Sequence, residues 1–431
     1  MGSVVVERSE ILVVGAGIFG TSTAYHLAST HPNPSGITVL DRAPCPSPKA
    51  ASSDINKIVR ADYSSPFYMH LAYEAMNAWS NSSVLKPFYH RTGWVALDEK
   101  DSDLTDRIRT NFKNSGRPDE TEDISLEEVK SRWDGILKGI DTTDYSKAYL
   151  NPSAGWTDAS LATEAMMREA ILRGVKHVVG EVEELVSSGH RLEGVRTRDG
   201  KLYTADKILL ATGAWTPLLM SSLEDVLGIE EDQRIERQIS AAGVCVAAFK
   251  LSPEEAEHYG KLPILIYGAR GEMMPPNHER LFKFTNANTF TNYETLPSGR
   301  RISLPNSKDQ SYVPDKLKEQ SLEIIRARLP QILDNGRVPD LWRLCWDVIS
   351  PDQNQLLTQH PDPRLSNLYF ATAGSFHSWK FLPIIGKYVV NVLKGESNGE
   401  EKDMAWKWKS TWSERGAHEK TLPKADLKDF E

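Results

Sequence analysis

Six residues near the start, Gly15-Ala16-Gly17-Ile18-Phe19-Gly20, place glycine where a backbone must wrap a pyrophosphate. Gly15 permits a tight turn, Gly17 lets the backbone approach a phosphate, and Gly20 lets helix and strand pack closely. The helix that follows offers unpaired N–H groups and the positive end of its dipole to the anion. Asp41, about twenty residues beyond, closes a strand where a carboxylate meets a ribose hydroxyl. This pattern predicts dinucleotide binding. A second reactive candidate is Cys345 in Arg343-Leu344-Cys345-Trp346-Asp347, where a neighbouring guanidinium favours the thiolate.

The elements that position these groups follow from patterning. Strand 10–14, helix 18–29 and strand 37–40 open a nucleotide-binding unit, and a proline-rich stretch, 44–53, follows. Phe67, Leu71, Ala75, Met76 and Trp79 fall at helical spacing over 66–80. Residues 100–145 are charged and read as helical, with a short helix over 126–133. The loop from Asn151 enters a helix capped by Thr157 or Asp158. Residues 175–186 and 192–210 read as an antiparallel meander, with Asp199-Gly200 as a hairpin turn. A buried strand, 207–211, leads into Thr212-Gly213-Ala214-Trp215, and residues 238–310 read as short strands between Gly and Pro. Strand 368–374 and helix 383–393 follow; the tail from 396, polar apart from Trp406 and Trp408, is expected to lie over the surface.

At 431 residues the chain is too long for one core. The expected division is discontinuous: 1–85, 150–225 and 340–395 bind the dinucleotide, 86–149 and 226–339 form a substrate domain, and 396–431 are an extension. A net charge of −8 with scattered Lys and Arg gives nucleic acid no footing. No apolar run has the length of a membrane span, and the first strand begins too early for a signal peptide. Three cysteines make no disulfide framework, and the last residues are no peroxisomal signal, so the cytosol is the expected compartment. No metal site is expected.

A nicotinamide dehydrogenase would continue with alternating β/α units. Here a meander and a second strand ending in Ala211-Thr212-Gly213-Ala214-Trp215 intervene. That order resembles two-domain flavoprotein oxidases of the D-amino-acid oxidase fold: α/β, a Rossmann-like FAD-binding domain joined to a mixed β-sheet substrate domain. Ser53-Asp54-Ile55-Asn56-Lys57-Ile58, Leu344-Cys345-Trp346 and Ser375-Phe376-His377-Ser378-Trp379-Lys380 extend the likeness over nearly the whole chain. The chain resembles fungal amadoriases and saccharopine oxidase-like flavoenzymes of the monomeric sarcosine oxidase family.

The resemblance implies oxidation of a C–N bond in a secondary amine that bears a carboxylate, with O2 reduced to H2O2 and the enzyme acting as a monomer. Cys345 matches the family's flavin-linking cysteine; a buried core cysteine is the other reading. Lys283, between Phe282 and Phe284, matches the oxygen-activating lysine, where a cation stabilises charge developing on O2; an alternating strand with a solvated face would also place it. Arg60 and Lys380 match the positions that hold the substrate carboxylate. Their alternatives are a salt bridge to Asp54 or Asp62 and a snorkelling surface lysine. Lys57 matches a second basic position at the flavin. Gly15, Gly17, Ile18, Gly20, Asp41, Ser53, Lys57, Val182, Gly213, Trp215, Cys345, Ser375 and Lys380 form the expected FAD site.

Three departures bear on the substrate. Amadoriases carry a small residue at Arg60, an acid at Ala287 and a glycine at Phe376. The exchanged residues argue against a sugar adduct and for an N-substituted α-amino acid: a substituted lysine such as saccharopine, a cyclic imino acid such as pipecolate, or an N-methylated aromatic amino acid whose imine the ring captures. Phe376 would wall the pocket, and Met274 would line it or serve as core at a strand end. Fructosyl amino-acid oxidation, and a flavin dehydrogenase with another electron acceptor, are the rival activities.

Overall fold

Ile11, Leu12, Val13 and Val14 are apolar without alternation, and the computed structural model of the protein shows the cause. Their strand, Val6–Val14, lies between two cores: Ile11 and Val13 face one hydrophobic cluster, Leu12 and Val14 another. The structure describes residues 6–188, 191–412 and 422–431.

The first of two large sheets has the order Val182–Ser187, Leu192–Thr197, Leu202–Leu210, Val6–Val14, Ile37–Asp41, Lys176–Val179. Leu368–Thr372 pairs in parallel with the end of Leu202–Leu210, and Leu356–Gln359 runs antiparallel to it. Helices Ile18–Thr30, Ala159–Leu172 and Ile385–Lys394 pack on one face. The second sheet runs Leu341–Ile349, Ser240–Lys250, Leu281–Thr291, Gly271–Met274, Ile264–Tyr267, Trp94–Glu99, Tyr145–Asn151, Glu122–Ile124. A three-stranded sheet, Lys57–Val59, Gly155–Thr157 and Tyr89–His90, lies between them in the chain's path. Among the described residues no helix is long and apolar enough to cross a membrane.

Several expectations need correction. Residues 176–179 do not join the meander; they pair in parallel with Ile37–Asp41. The run breaks at Gly180, whose N–H bonds to the Asp41 carbonyl at 2.7 Å. The short strands expected over 238–310 include two of eleven residues, Ser240–Lys250 and Leu281–Thr291. A register shift between Gly243 and Cys245 absorbs the irregular stretch and keeps them paired. Strand Leu341–Ile349 pairs with Ser240–Lys250 in the second sheet, so that sheet joins strands from both sides of the expected boundary at 340. Nor does the tail merely cover the surface. Trp406 is buried against Phe67 and Tyr388, and Ala425–Asp426 pairs with the Lys283 strand at Phe290. Asp158 does precede its helix, yet its carboxylate caps nothing; it takes His90 and His278 at 2.7 and 3.0 Å.

Candidate active site

One cavity runs from the glycine turn to the inner face of the second sheet. At its first end Gly15 has φ +103°, and a Cβ there would meet the Ala211 carbonyl oxygen at 2.4 Å. A Cβ on Gly20 would fall 1.8 Å from the Gly15 oxygen, so no side chain fits where helix and turn touch. Gly20 therefore shapes the turn from behind and is not part of the wall. Gly17 differs: its Cβ direction opens into the cavity and meets only Ser52 Oγ, at 3.4 Å. Gly17 caps the helix with no side-chain bond and the first turn holds no acid, leaving the positive dipole end to a ligand.

Gly15, Gly17, Ile18, Asp41, Val182, Gly213 and Trp215 all line this end. Asp41 also accepts the Ala16 N–H at 2.6 Å, tying the carboxylate to the turn. Ser53 is off the wall, because its carbonyl accepts from Arg343. The neighbouring Ser52 takes that place, and its Oγ accepts the Ile18 N–H at 2.9 Å. Arg42, unremarked in the sequence, lines the same end with its guanidinium 4.2 Å from the Trp215 ring centre.

The far end is cationic. Strand alternation puts Lys283, Thr285, Ala287 and Thr289 on one face, and all four line the cavity. Lys283 is 1% exposed, so no solvated face accounts for it. It donates to Asp54 Oδ2 and to the Asn56 carbonyl, each at 2.9 Å. Lys57 meets the same Asp54 oxygen at 2.7 Å. Burial alone would push the Asp54 carboxyl up, but Lys283, Lys57 and Arg343 outweigh it and hold it well below the usual range. Burial likewise opposes the Lys57 charge, and Asp54 more than restores it. Asp54 is the residue sequence reasoning missed. Its signal was a lone acid three residues before Lys57.

Arg60 forms neither expected salt bridge among the described residues. Its guanidinium lies 4.5 Å from the Trp94 ring centre and 4.9 Å from that of Tyr63, and its buried Nη1 has no hydrogen-bond partner. Asp62 faces it but is spent on Tyr149 at 2.7 Å and Asn151 at 2.9 Å. Lys380 does not snorkel. Buried beside Arg60, it donates to Tyr63 Oη at 2.8 Å and to the His377 carbonyl at 2.6 Å. Burial first, and Arg60 second, hold its ammonium well below the usual lysine range. Met274 sits in the core beside Lys283 in register and does not reach the wall.

Cys345 is buried and lines the cavity near Phe376, Val244 and Val246. Arg343 is not held at its sulfur, because the guanidinium donates to the carbonyls of Pro48, Ala50 and Ser53. Burial pushes the other thiols up, Cys45 to about 12 and Cys245 to about 11, which leaves both poorly nucleophilic. Ala373, Ser375 and Phe376 all hold left-handed backbone, with φ of 62°, 49° and 60°. Three such residues in four cost about 1–3 kcal/mol each and persist only where surroundings enforce them. Asp347 does so, accepting the Phe376 N–H at 2.8 Å. Ser375, Phe376 and Lys380 are thereby brought to the cavity wall.

Comparison with known proteins shows what the chain as a whole is similar to. A family model described as FAD dependent oxidoreductase matches residues 10–392. L-saccharopine oxidase of Schizosaccharomyces pombe is 28% identical over 422 residues, covering 93% of each chain. The crystal structure of the deglycating fructosamine oxidase Amadoriase II from Aspergillus fumigatus superposes with a TM-score of 0.79 at 28% identity, covering 94% of this chain and 89% of that one. Fructosyl peptide oxidase from E. terrenum gives 0.81 at 27% identity, covering 98% and 97%.

Proposed function

The chain belongs to the FAD dependent oxidoreductase family, and from that premise we propose that it is an oxidase of N-substituted α-amino acids, converting the C–N bond to an imine with O2 as acceptor. The buried Arg60 Nη1 carries this reading. A donor without a partner inside a cavity asks for an acceptor that arrives with a ligand, and Lys380 beside it makes that acceptor an anion.

The walls fit FAD. The open Cβ direction at Gly17 and the uncapped helix suit its pyrophosphate, Asp41 and Arg42 flank the same end, and Cys345 would hold it through sulfur. When bound, FAD takes two electrons and a proton from a C–H beside nitrogen and passes the electrons to O2. Arg60 and Lys380 fix the substrate carboxylate and so orient that C–H. Trp94, Tyr63 and Phe376 exclude water around it. Lys283, paired with Asp54, supplies the cation for O2 reduction.

Saccharopine-like, pipecolate-like and N-methylated amino acids fit better than sugar adducts, because Ala287 and Phe376 on the wall offer no side-chain hydrogen bond to a sugar hydroxyl. Three free thiols suit a reducing compartment, and the reading keeps the protein in the cytosol as a monomer. An H2O2-coupled screen of N-alkylated and cyclic amino acids beside fructosyl-valine tests the activity. Predominant turnover of the sugar adduct would instead favour deglycation, the activity of the Amadoriase II it resembles. Acid-precipitated protein should stay yellow, and Cys345→Ser protein should release its colour; colour released equally by both would refute the sulfur link.

A further inference from the structure

Glu272 has no part in the reading so far. It lies on Gly271–Met274, between the Lys283 strand and Ile264–Tyr267, paired with Thr285 on one side and Ile266 on the other. All three side chains line the cavity, which places a half-buried carboxylate in the middle of its floor. Thr285 Oγ1 donates to it at 3.1 Å. No described cation pairs with it, since Lys57 and Lys283 are held by Asp54 and Lys380 by Tyr63 and the His377 carbonyl.

A carboxylate so placed has lost much of its water and gained one hydroxyl in return, a deficit that a cation relieves. Its place within the cavity matters too. The Trp94 strand, whose ring carries Arg60, lies two interstrand steps away, about 10 Å between backbones. Lys283 is the diagonal neighbour of Glu272 on the adjacent strand, about 7–8 Å away by sheet geometry. Positive charge thus bounds the site on two sides, with the Glu272 carboxylate between.

We propose that Glu272 pairs with the cationic nitrogen of the substrate, so that the cavity reads a zwitterion at two points, the carboxylate at Arg60 and Lys380 and the nitrogen at Glu272. The inference rests on the amino-acid oxidase reading and adds the residue that would make neutral amines and simple carboxylates poor ligands.

The test uses the FAD-loaded protein and two probes: N-methyl-L-phenylalanine, and the thioether acid in which sulfur replaces its nitrogen. Anaerobic rapid mixing gives the Kd of the first from the concentration dependence of bleaching, and calorimetry gives that of the second. Glu272→Gln should weaken the amine by about tenfold or more, because a hydrogen bond to a charged group is lost. The thioether acid should bind as well as before, or more tightly, and Glu272→Asp should recover part of the amine affinity. Equal loss for both probes would make Glu272 a structural residue and overturn the inference alone, as would no change for either. If neither probe binds the wild-type protein, the inference falls together with the reading it rests on.

Discussion

Replacing Asp54 with asparagine tests whether one buried acid holds the two lysines. Asp54 and Lys283 are 4% and 1% exposed at their side chains, so their interaction needs no discount for solvent. Removing one partner of a buried ion pair costs about 3–5 kcal/mol. Asparagine keeps one carbonyl oxygen and Lys283 keeps the Asn56 carbonyl, which places the loss at the low end, about 3 kcal/mol. With an unfolding entropy of about 2.1 cal/mol/K per residue, a chain of this length loses about 1 °C per kcal/mol, so the variant should melt about 3 °C lower. Folding depresses the Asp54 pKa despite its burial. Its contribution is therefore fully present above the unfolded value of about 4 and is lost as pH falls through the folded one. Thermal melts followed by circular dichroism should show the same gap at pH 7 and pH 5, narrowing only in stronger acid. A gap that closed between pH 7 and 5 would mean that desolvation had won over the lysines. No gap at all would mean that the network does not stabilise the fold.

Three further outcomes follow from the same geometry. Lys283→Met should leave anaerobic bleaching by substrate nearly unchanged and slow reoxidation by O2 about a hundredfold or more, read by stopped-flow absorbance; parallel loss of both rates would contradict its role. Arg60→Met should raise the KM for an amino-acid substrate by about tenfold or more, because the anion loses charged donors, and an unchanged KM would remove Arg60 from the site. Burial and Arg60 depress the Lys380 pKa, so a bound carboxylate should draw a proton onto it. Calorimetry in two buffers of different ionisation heat would show proton uptake on binding, and release would contradict it.

The nucleotide end was legible because its causes are local. Gly15 needs a positive φ and Gly20 a missing side chain, and both demands appear as letters in the sequence. The cationic end was legible only by resemblance, since Arg60, Lys283 and Lys380 converge from segments more than two hundred residues apart in places. Asp54 and Glu272 escaped because an acid shows its importance through partners, and partners are tertiary. Ser53 was misplaced by one residue, as happens in a loop whose direction depends on where Arg343 pulls its carbonyls. The pairing of the Cys345 strand with Ser240–Lys250 was not legible, because it spans about a hundred residues and leaves no local mark.

The central claim is that a substrate is oxidised only when its carboxylate engages the buried cations. It is tested most directly by mixing the yellow protein without oxygen with N-methyl-L-phenylalanine and with the corresponding amide. The acid should bleach the colour, and the amide should do so more than about a hundredfold more slowly, having lost its charge-assisted bonds to Arg60 and Lys380. Equal bleaching by both compounds, or none by either, would contradict the account.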